Sequence, residues 1–262
     1  DVYDASGNLV AEGRSQKDGE IARILNLAAG VYYARVGGDS RLNNYKLIIE
    51  PGKSSNTRVF YVSNPDSHNK DDSYYTWEKG RNSNDGLTAA KPKASLQSVL
   101  DNYSLGPHDM VVFDTGEYSS AATMAATHSG ALFVGSISGS TVGALSLDGA
   151  NGHWFYNLDF SSSTTSNISL SAADGNRFER GEIHGAETNA ILVGSNANQF
   201  ENIHFAGPTH NVVLTASHEN VFTGNEFTGK TAECHYIVIE IAERRPGDAI
   251  PAREFGRRNS AD

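Results

Sequence analysis

NRFERGEIHG (176–185), NQFENIHFAG (198–207) and NVFTGNEFTG (220–229) are three segments that align at a constant interval. Their first asparagine and first phenylalanine each recur every 22 residues. A second apolar position, five residues after that phenylalanine, keeps the same interval and is held by Ile183, Phe205 and Phe227. A repeat this short cannot bury its own apolar residues, so the pattern is typical of a solenoid in which each coil stacks on the next.

The apolar spacing within each repeat favours strands over helices. NVVLTAS (211–217) puts Val212 and Leu214 on one face, and the equivalent residues one repeat earlier are Ala190 and Leu192. No 3.6-residue pattern and no regular leucine signature is present, which argues against leucine-rich and armadillo solenoids. We therefore predict an all-β fold, a right-handed parallel β-helix with coils of about 22 residues.

Stacked coils place equivalent residues in rows, with a step of about 4.8 Å along the axis. The predicted interior aromatic row consists of Phe155, Phe178, Phe200 and Phe222. Two asparagine rows run beside it, Asn167, Asn189 and Asn211 in one and Asn176, Asn198 and Asn220 in the other. We expect these asparagines in turns with left-handed backbone, hydrogen-bonded to the coils above and below. Such rows need no ligand and are interpreted as scaffold.

The sequence divides into four stretches: 1–50, 51–57, 58–230 and 231–262. The first alternates as strands and turns, and it is predicted to be a partial β-sandwich because three or four strands cannot cover two sheets. The second has linker composition. The last abandons the 22-residue interval, so YIVIEIA (236–242) is either a strand that closes the solenoid or part of a non-native tail.

The β-helix region is predicted to begin with a cap over 58–120. Leu96, Val99 and Leu100 follow helical spacing, and Ser95 is a suitable N-cap, which predicts a short amphipathic helix over 95–103. Alternating segments on either side of this helix predict the strands that seal the first coil.

Two stretches resemble known families. FYVSN, NSNDGL, KPKASLQSVLD and HDMVVFDTGEY, in that order, resemble the start of secreted bacterial pectin-lyase-like β-helix proteins. YDASGNLVAEG, LAAGVYYARV and NNYKLIIE resemble the second half of the bacterial pre-peptidase C-terminal domain. The resemblance implies a secreted or cell-surface bacterial protein directed at polysaccharide. The chain departs from the first family at Asn82, where an acidic residue is usual, and by an insertion at 65–79.

Charge and composition exclude several partners. The net charge of −10 argues against nucleic acid and against anionic membrane surfaces. No apolar run approaches the roughly 18 residues of a membrane span, and no signal peptide is recognised in this sequence. The single Cys234 excludes an internal disulfide and a multi-cysteine metal cluster.

The candidate catalytic residues precede the second apolar position of each coil: Asp159, Glu182, His204 and Glu226. Carboxylates and an imidazole on one strand face suit acid–base chemistry on a sugar, or Ca²⁺ binding through oxygen. The alternative is an ordinary solvent-facing row, although like charges at this spacing are costly without a cation.

Two other sets are candidate binding residues. Asp71, Asp72, Asn84 and Asp85 are candidate Ca²⁺ ligands, although a turn explains Asn84, Asp85 and Gly86 as well. Arg180, Tyr74, Trp77 and Trp154 are candidate substrate-binding residues because exposed rings stack on sugar faces. Packing of the 65–79 insertion against the cap is the alternative explanation for its aromatic residues.

Two functions remain open. One is an enzyme acting on an acidic polysaccharide, as a lyase, hydrolase or epimerase. The resembled lyases use Lys or Arg in β-elimination, and the repeats offer only Arg177, Arg180 and the terminal Lys230, which argues against a lyase. The other is a non-catalytic, adhesin-like spacer or glycan-binding segment of a larger secreted protein. Polysaccharide or a cell-surface glycan is the partner in both, and the oligomeric state does not follow from the sequence.

Overall fold

The structure, a computed structural model, describes residues 58–66, 75–136, 138–207 and 209–229 in full. Strands nearer the two ends are described by their backbone alone. Four of these, β1 (Val2–Asp4), β2 (Leu9–Ala11), β3 (Gly30–Gly38) and β4 (Arg41–Ile49), form an antiparallel sheet in the order β2-β1-β3-β4. The strands expected in 1–50 are therefore present, and their assignment to a sandwich domain stays a prediction.

The rest of the described chain is a parallel β-solenoid with three strand positions per coil, which we call faces A, B and C. Face A contains β5 (Arg58–Val62), β6 (Asp109–Phe113), β9 (Leu132–Gly135), β12 (Trp154–Tyr156), the first halves of β15 (Arg177–His184) and β17 (Gln199–Gly207), and β19 (Val221–Thr223). Face B contains β7 (Gly116–Tyr118), β10 (Ser140–Val142), β13 (Asp159–Ser161), the second halves of β15 and β17, and β20 (Glu226–Gly229).

Face C contains β8 (Ala122–Ala125), β11 (Leu145–Asp148), β14 (Ser166–Ser171), β16 (Thr188–Val193), β18 (His210–Thr215) and β21 (His235–Glu240). Every pairing between coils is parallel. Apart from β5 and β6, whose partners lie 51 residues apart, the partners lie 18 to 25 residues apart, as in Ile191 opposite Val213. The predicted all-β parallel β-helix is confirmed. The strand interpretation of 236–242 also agrees with the structure, because β21 extends face C beside β18.

The interior aromatic row on face A is confirmed and longer than predicted. Phe133 stacks on Phe155 with ring centroids 4.6 Å apart, and the next step, from Phe155 to Phe178, is 4.7 Å. Phe200 and Phe222 continue the row at 4.8 and 4.9 Å. These steps match the spacing of adjacent parallel strands, so the rings stack because the backbone does. The sequence pattern did not predict Phe133 as part of the row because its segment, ALFVG, lacks the asparagine that marks the later repeats.

The asparagine rows are buried amide ladders. Asn167 donates to the side-chain oxygen of Asn189 at 2.9 Å, and Asn189 donates to Asn211 at 2.8 Å. In the other row, the Asn198 side-chain oxygen accepts the Asn176 backbone N–H at 2.9 Å. Bonding between coils is thus confirmed, but the expected left-handed backbone is wrong for these rows. Buried amides must find partners, and the coils above and below supply them without a left-handed turn.

The cap helix is confirmed as α1 (Leu96–Asn102). The Ser95 hydroxyl accepts a hydrogen bond from the Ser98 N–H, which satisfies a free donor of the first turn. Leu96, Val99 and Leu100 are buried in the same core as the phenylalanine row. Among the described residues, no helix has the length and apolar character needed to cross a membrane.

Asp114 attaches the insertion to the first coil. Its fully buried carboxylate accepts hydrogen bonds from the Tyr75 N–H at 3.3 Å, the Thr76 N–H at 2.9 Å and the Thr76 hydroxyl. Tyr75 packs against an apolar cluster of Val59, Tyr61, Ala89 and Val112. The end of the insertion therefore covers part of the solenoid wall and fixes where Trp77 emerges.

Candidate functional site

Faces A and B meet at a narrow corner where one residue per coil has left-handed backbone. That residue is Asn157, Arg180, Asn202 and Gly224 on successive coils, with φ of 55°, 57°, 54° and 65°. Side chains that point outward just before and just after this residue are three positions apart, as are Tyr156 and Asp159. We call the outward side chains within 154–159, 177–182 and 199–204 the corner surface. The sequence-predicted catalytic row and two predicted substrate-binding residues lie on or beside it.

The predicted catalytic row is a real row of the solenoid. Glu182 lies opposite His204, and His204 lies opposite Glu226, in the parallel register. The Glu182 N–H donates to Asp159 Oδ1 at 2.7 Å, and Glu182 Oε1 lies 3.5 Å from His204 Nδ1. His204 Nε2 lies 3.0 Å from the Thr228 hydroxyl. Asp159, Glu182 and His204 are therefore brought together, while Glu226 is exposed on the following coil.

The carboxylates of this row differ in environment. Burial raises the pKa of Asp159, and the neighbouring charge of Glu182 raises it further, while the Glu182 backbone N–H acts in the opposite direction. Asp159 is half-buried, whereas the side chains of Glu182 and His204 are 43% and 37% exposed. The row thus offers one carboxyl that holds its proton more tightly than usual beside one that is open to solvent.

Two arginines cover the outward aromatic rings on face A. The Arg177 guanidinium carbon lies 4.8 Å from the centre of the Trp154 ring, and that of Arg180 lies 5.6 Å from Tyr156. Arg177 also pairs with Glu179 at 2.9 Å and with Glu201 at 2.7 Å. Trp154 remains 39% exposed, but one face of its ring is occupied by a guanidinium. The ring surface left for the expected stacking on a sugar is therefore smaller than that of an uncovered tryptophan.

Trp77, the other described aromatic candidate, does not join this cluster. Trp77 is 38% exposed, and its backbone N–H donates to the Ala89 carbonyl at 2.9 Å. No ring contact links Trp77 to Trp154 within the described part of the chain. Tyr74 lies outside the described residues.

The described calcium candidates have the contacts of a turn. Asn84 donates from its side chain to the Pro92 carbonyl at 2.9 Å, and Asp85 Oδ1 accepts the Leu87 N–H at 3.0 Å. Asp71 and Asp72 lie outside the described residues. Within those residues, no group of three or more His, Cys, Asp or Glu side chains is arranged to hold a metal ion. Calcium binding stays a prediction.

A buried histidine, which the sequence pattern did not predict, takes the place of an asparagine in the row of Asn176, Asn198 and Asn220. His153 lies 23 residues before Asn176, and its Nδ1 accepts the Ala131 N–H at 3.1 Å, as the asparagine oxygens do elsewhere. Its Nε2 is buried with no partner among the described residues. Burial lowers the pKa of His153 to about 4. The one-residue offset of this coil concealed the equivalence.

Comparison of the chain with protein-family models, with curated proteins and with solved structures finds no match. The parallel β-solenoid is therefore established by the strand register alone.

Proposed function

We propose that this chain is a polysaccharide-directed β-helix protein that hydrolyses glycosidic bonds at the corner surface. The observation that carries the proposal is the row of Asp159, Glu182 and His204 on three successive coils, in which the Glu182 backbone N–H contacts Asp159 and the Glu182 carboxylate contacts His204. The resemblance of the cap segment (58–120) to pectin-lyase-like proteins supports a polysaccharide partner. A secreted or cell-surface location belongs to the same proposal.

The two carboxyl groups suit the two roles of a glycosidase. Retaining enzymes use two carboxyl groups about 5–5.5 Å apart, and Asp159 and Glu182 lie on adjacent parallel strands whose backbones are roughly 4.8 Å apart. Asp159, whose pKa is raised by burial, gives its proton to the glycosidic oxygen as the bond to the anomeric carbon breaks. Glu182 attacks that carbon, and water then releases the sugar while returning a proton to Asp159. His204 positions the Glu182 carboxylate.

β-Elimination with Arg177 as the base does not fit the corner. A lyase needs a basic group beside the sugar, and Arg177 is already paired with both Glu179 and Glu201. That engagement favours a carboxylate mechanism over one in which Arg177 acts as base.

A second candidate is a non-catalytic glycan-binding spacer. The observation that favours it is the pair of guanidinium groups over Trp154 and Tyr156, which gives both arginines a packing role on the wall of the solenoid. In this alternative, the corner surface holds a glycan without cleaving it.

The test is a panel of neutral and acidic polysaccharides, with new reducing ends and unsaturated ends measured separately. We expect reducing ends from the native chain and at least about a 100-fold loss in D159N and E182Q. The matched control is E187Q, an exposed carboxylate of the same coil outside the corner surface. Binding without any new ends would establish the spacer, unsaturated ends would establish a lyase, and neither binding nor product would refute a polysaccharide role.

A further inference from the structure

A hydroxyl on the last described coil continues the row of Glu182 and His204. Thr228 lies on β20, two residues after Glu226, which is the residue opposite His204 in the parallel register. Side chains alternate along a strand, so Thr228 and Glu226 project from the same side of face B. The residue opposite Thr228 is Ala206, whose small side chain lets the His204 ring reach diagonally across. His204 Nε2 lies 3.0 Å from Thr228 Oγ1.

The carboxylate of Glu182 decides which ring nitrogen of His204 carries the proton. Glu182 Oε1 lies 3.5 Å from His204 Nδ1, and an ionised carboxylate can only accept a hydrogen bond. Nδ1 is therefore the protonated nitrogen of the neutral ring, and Nε2 is left to accept the hydroxyl proton of Thr228. Carboxylate, imidazole and hydroxyl thus follow one another in the order that activates a hydroxyl as a nucleophile.

The backbone at Thr228 is held from the inside and open on the outside. The buried Asn211 side chain donates to the Thr228 carbonyl at 3.3 Å, which ties this position to the interior amide ladder. In the described part of the chain, β20 pairs only with β17, so its other edge presents backbone N–H groups. Backbone N–H groups beside a nucleophile are the donors that stabilise the oxyanion of acyl transfer.

We propose that Thr228, His204 and Glu182 hydrolyse a carboxylic ester with a short acyl group. The Thr228 oxygen attacks the carbonyl carbon while His204 Nε2 takes its proton. The bond to the alcohol oxygen then breaks, and His204 gives that proton to the departing alcohol. Water, deprotonated by His204, attacks the acyl-threonine, and the carboxylic acid leaves as the hydroxyl regains its proton. Glu182 holds the ring and stabilises its charged form without touching the ester.

The side chains around Thr228 limit the acyl group. Thr228 is exposed, and its neighbours Ala206, His204 and Glu226 on the same face are small or polar. A short acyl group such as acetyl needs no apolar pocket, whereas a long chain would stay in contact with water. Ester hydrolysis does not rest on the glycosidic reaction proposed above, because its nucleophile is Thr228 and the bond it breaks joins a carbonyl carbon to oxygen.

The test measures release of p-nitrophenol from p-nitrophenyl acetate by the full chain. We expect T228A to lose at least about 100-fold in kcat/KM, and T228S to stay within about tenfold of the native chain because serine keeps the hydroxyl. The matched control is T223A, at an exposed threonine of the same coil on face A, which should keep the native rate. The melting temperatures of these variants should equal that of the native chain, because both threonines are exposed.

Two further measurements separate the roles of the three residues. Mass spectrometry of the chain, quenched in acid during turnover, should find an acetyl group on the peptide that contains Thr228. E182Q should lower kcat and leave KM unchanged, because Glu182 acts through His204 and does not touch the ester.

Equal rates in the native chain and T228A would overturn the proposal. If H204A abolished that shared rate, the imidazole itself would be the nucleophile. Cleavage of polysaccharide is measured by new reducing ends on a different substrate, so the two proposals fail separately. A chain that yields reducing ends without hydrolysing the ester leaves only the glycosidic proposal standing, and the reverse result leaves only the ester proposal standing.

Discussion

The inside and the outer corner of the same coils follow opposite rules. Inside, one residue type repeats at each level, as with the phenylalanines that stack at 4.6–4.9 Å. At the corner, equivalent positions differ from coil to coil, with Asn, Arg, Asn and Gly in one row. Repetition is expected where each coil must present the same surface to the next, and variation is tolerated where only solvent or a ligand is met. In this molecule, repetition therefore marks scaffold and departure from it marks the candidate site.

The strongest test of the comparison is removal of one interior ring. Phe178 is 1% exposed and stacks on Phe155 and Phe200, so F178A should lower the free energy of unfolding by about 3–5 kcal/mol. Urea denaturation measures this change. V193A, at an exposed position on face C, is the control and should change stability by less than about 0.5 kcal/mol. Similar losses in the two variants would contradict the scaffold assignment.

The buried histidine gives a test based on pH. The pKa of His153 is about 4 in the folded chain and about 6.5 in an unfolded one. Between these values the unfolded chain binds the proton and the folded chain does not, so stability falls as the pH drops from 6.5 towards 4. The loss attributable to His153 is about 3 kcal/mol.

The variant H153N isolates this effect. Asparagine is the residue of the equivalent position in the later coils, so the substitution keeps an acceptor for the Ala131 N–H and removes the titration. Urea denaturation between pH 4 and 7 should show that the free energy of unfolding changes less with pH in H153N than in the native chain. A smaller pH dependence should remain from His128, because burial lowers its pKa as well. If H153N kept the pH dependence of the native chain, burial of His153 would not be what disfavours its protonated form.

The smallest expected effect concerns an interior amide. Asn198 accepts the Asn176 N–H at 2.9 Å and donates to the Ala173 carbonyl at 3.0 Å, so N198A leaves buried groups unpaired. The expected loss of unfolding free energy is about 2 kcal/mol. At the exposed corner residue Asn202, N202G keeps a residue type that accepts the left-handed backbone, so it should change stability far less. Equal losses of unfolding free energy in N198A and N202G would contradict the claim that the interior row stabilises the fold more than the corner residue does.

Sequence reasoning succeeded where the interval is constant and the contacts are local. The cap helix followed from Ser95 and three apolar residues at helical spacing, all within one short segment. The Asp159, Glu182 and His204 row followed from the fixed offset to the second apolar position. The residue with left-handed backbone did not follow, because Asn is common both in such turns and in buried amide ladders.

Other features joined positions whose proximity no spacing rule reveals. Asp114 holds Thr76 across 38 residues, and Arg177 pairs with Glu201 across 24. Both depend on side-chain direction as well as on coil register. Phe133 lies in a coil without the marker asparagine, and His153 lies in a coil that is offset from the 22-residue interval by one residue.

By itself, the sequence determined the winding of the chain, because apolar residues recurring every 22 positions can be buried only by stacking coil on coil. It also determined which residues share a row. Only the tertiary structure decided what each row does: which amides pair inside, which arginine is neutralised and which carboxyl is shielded from water. These outcomes depend on contacts of a few ångströms between neighbouring coils, and charge and hydrogen-bond energies change sharply over such distances.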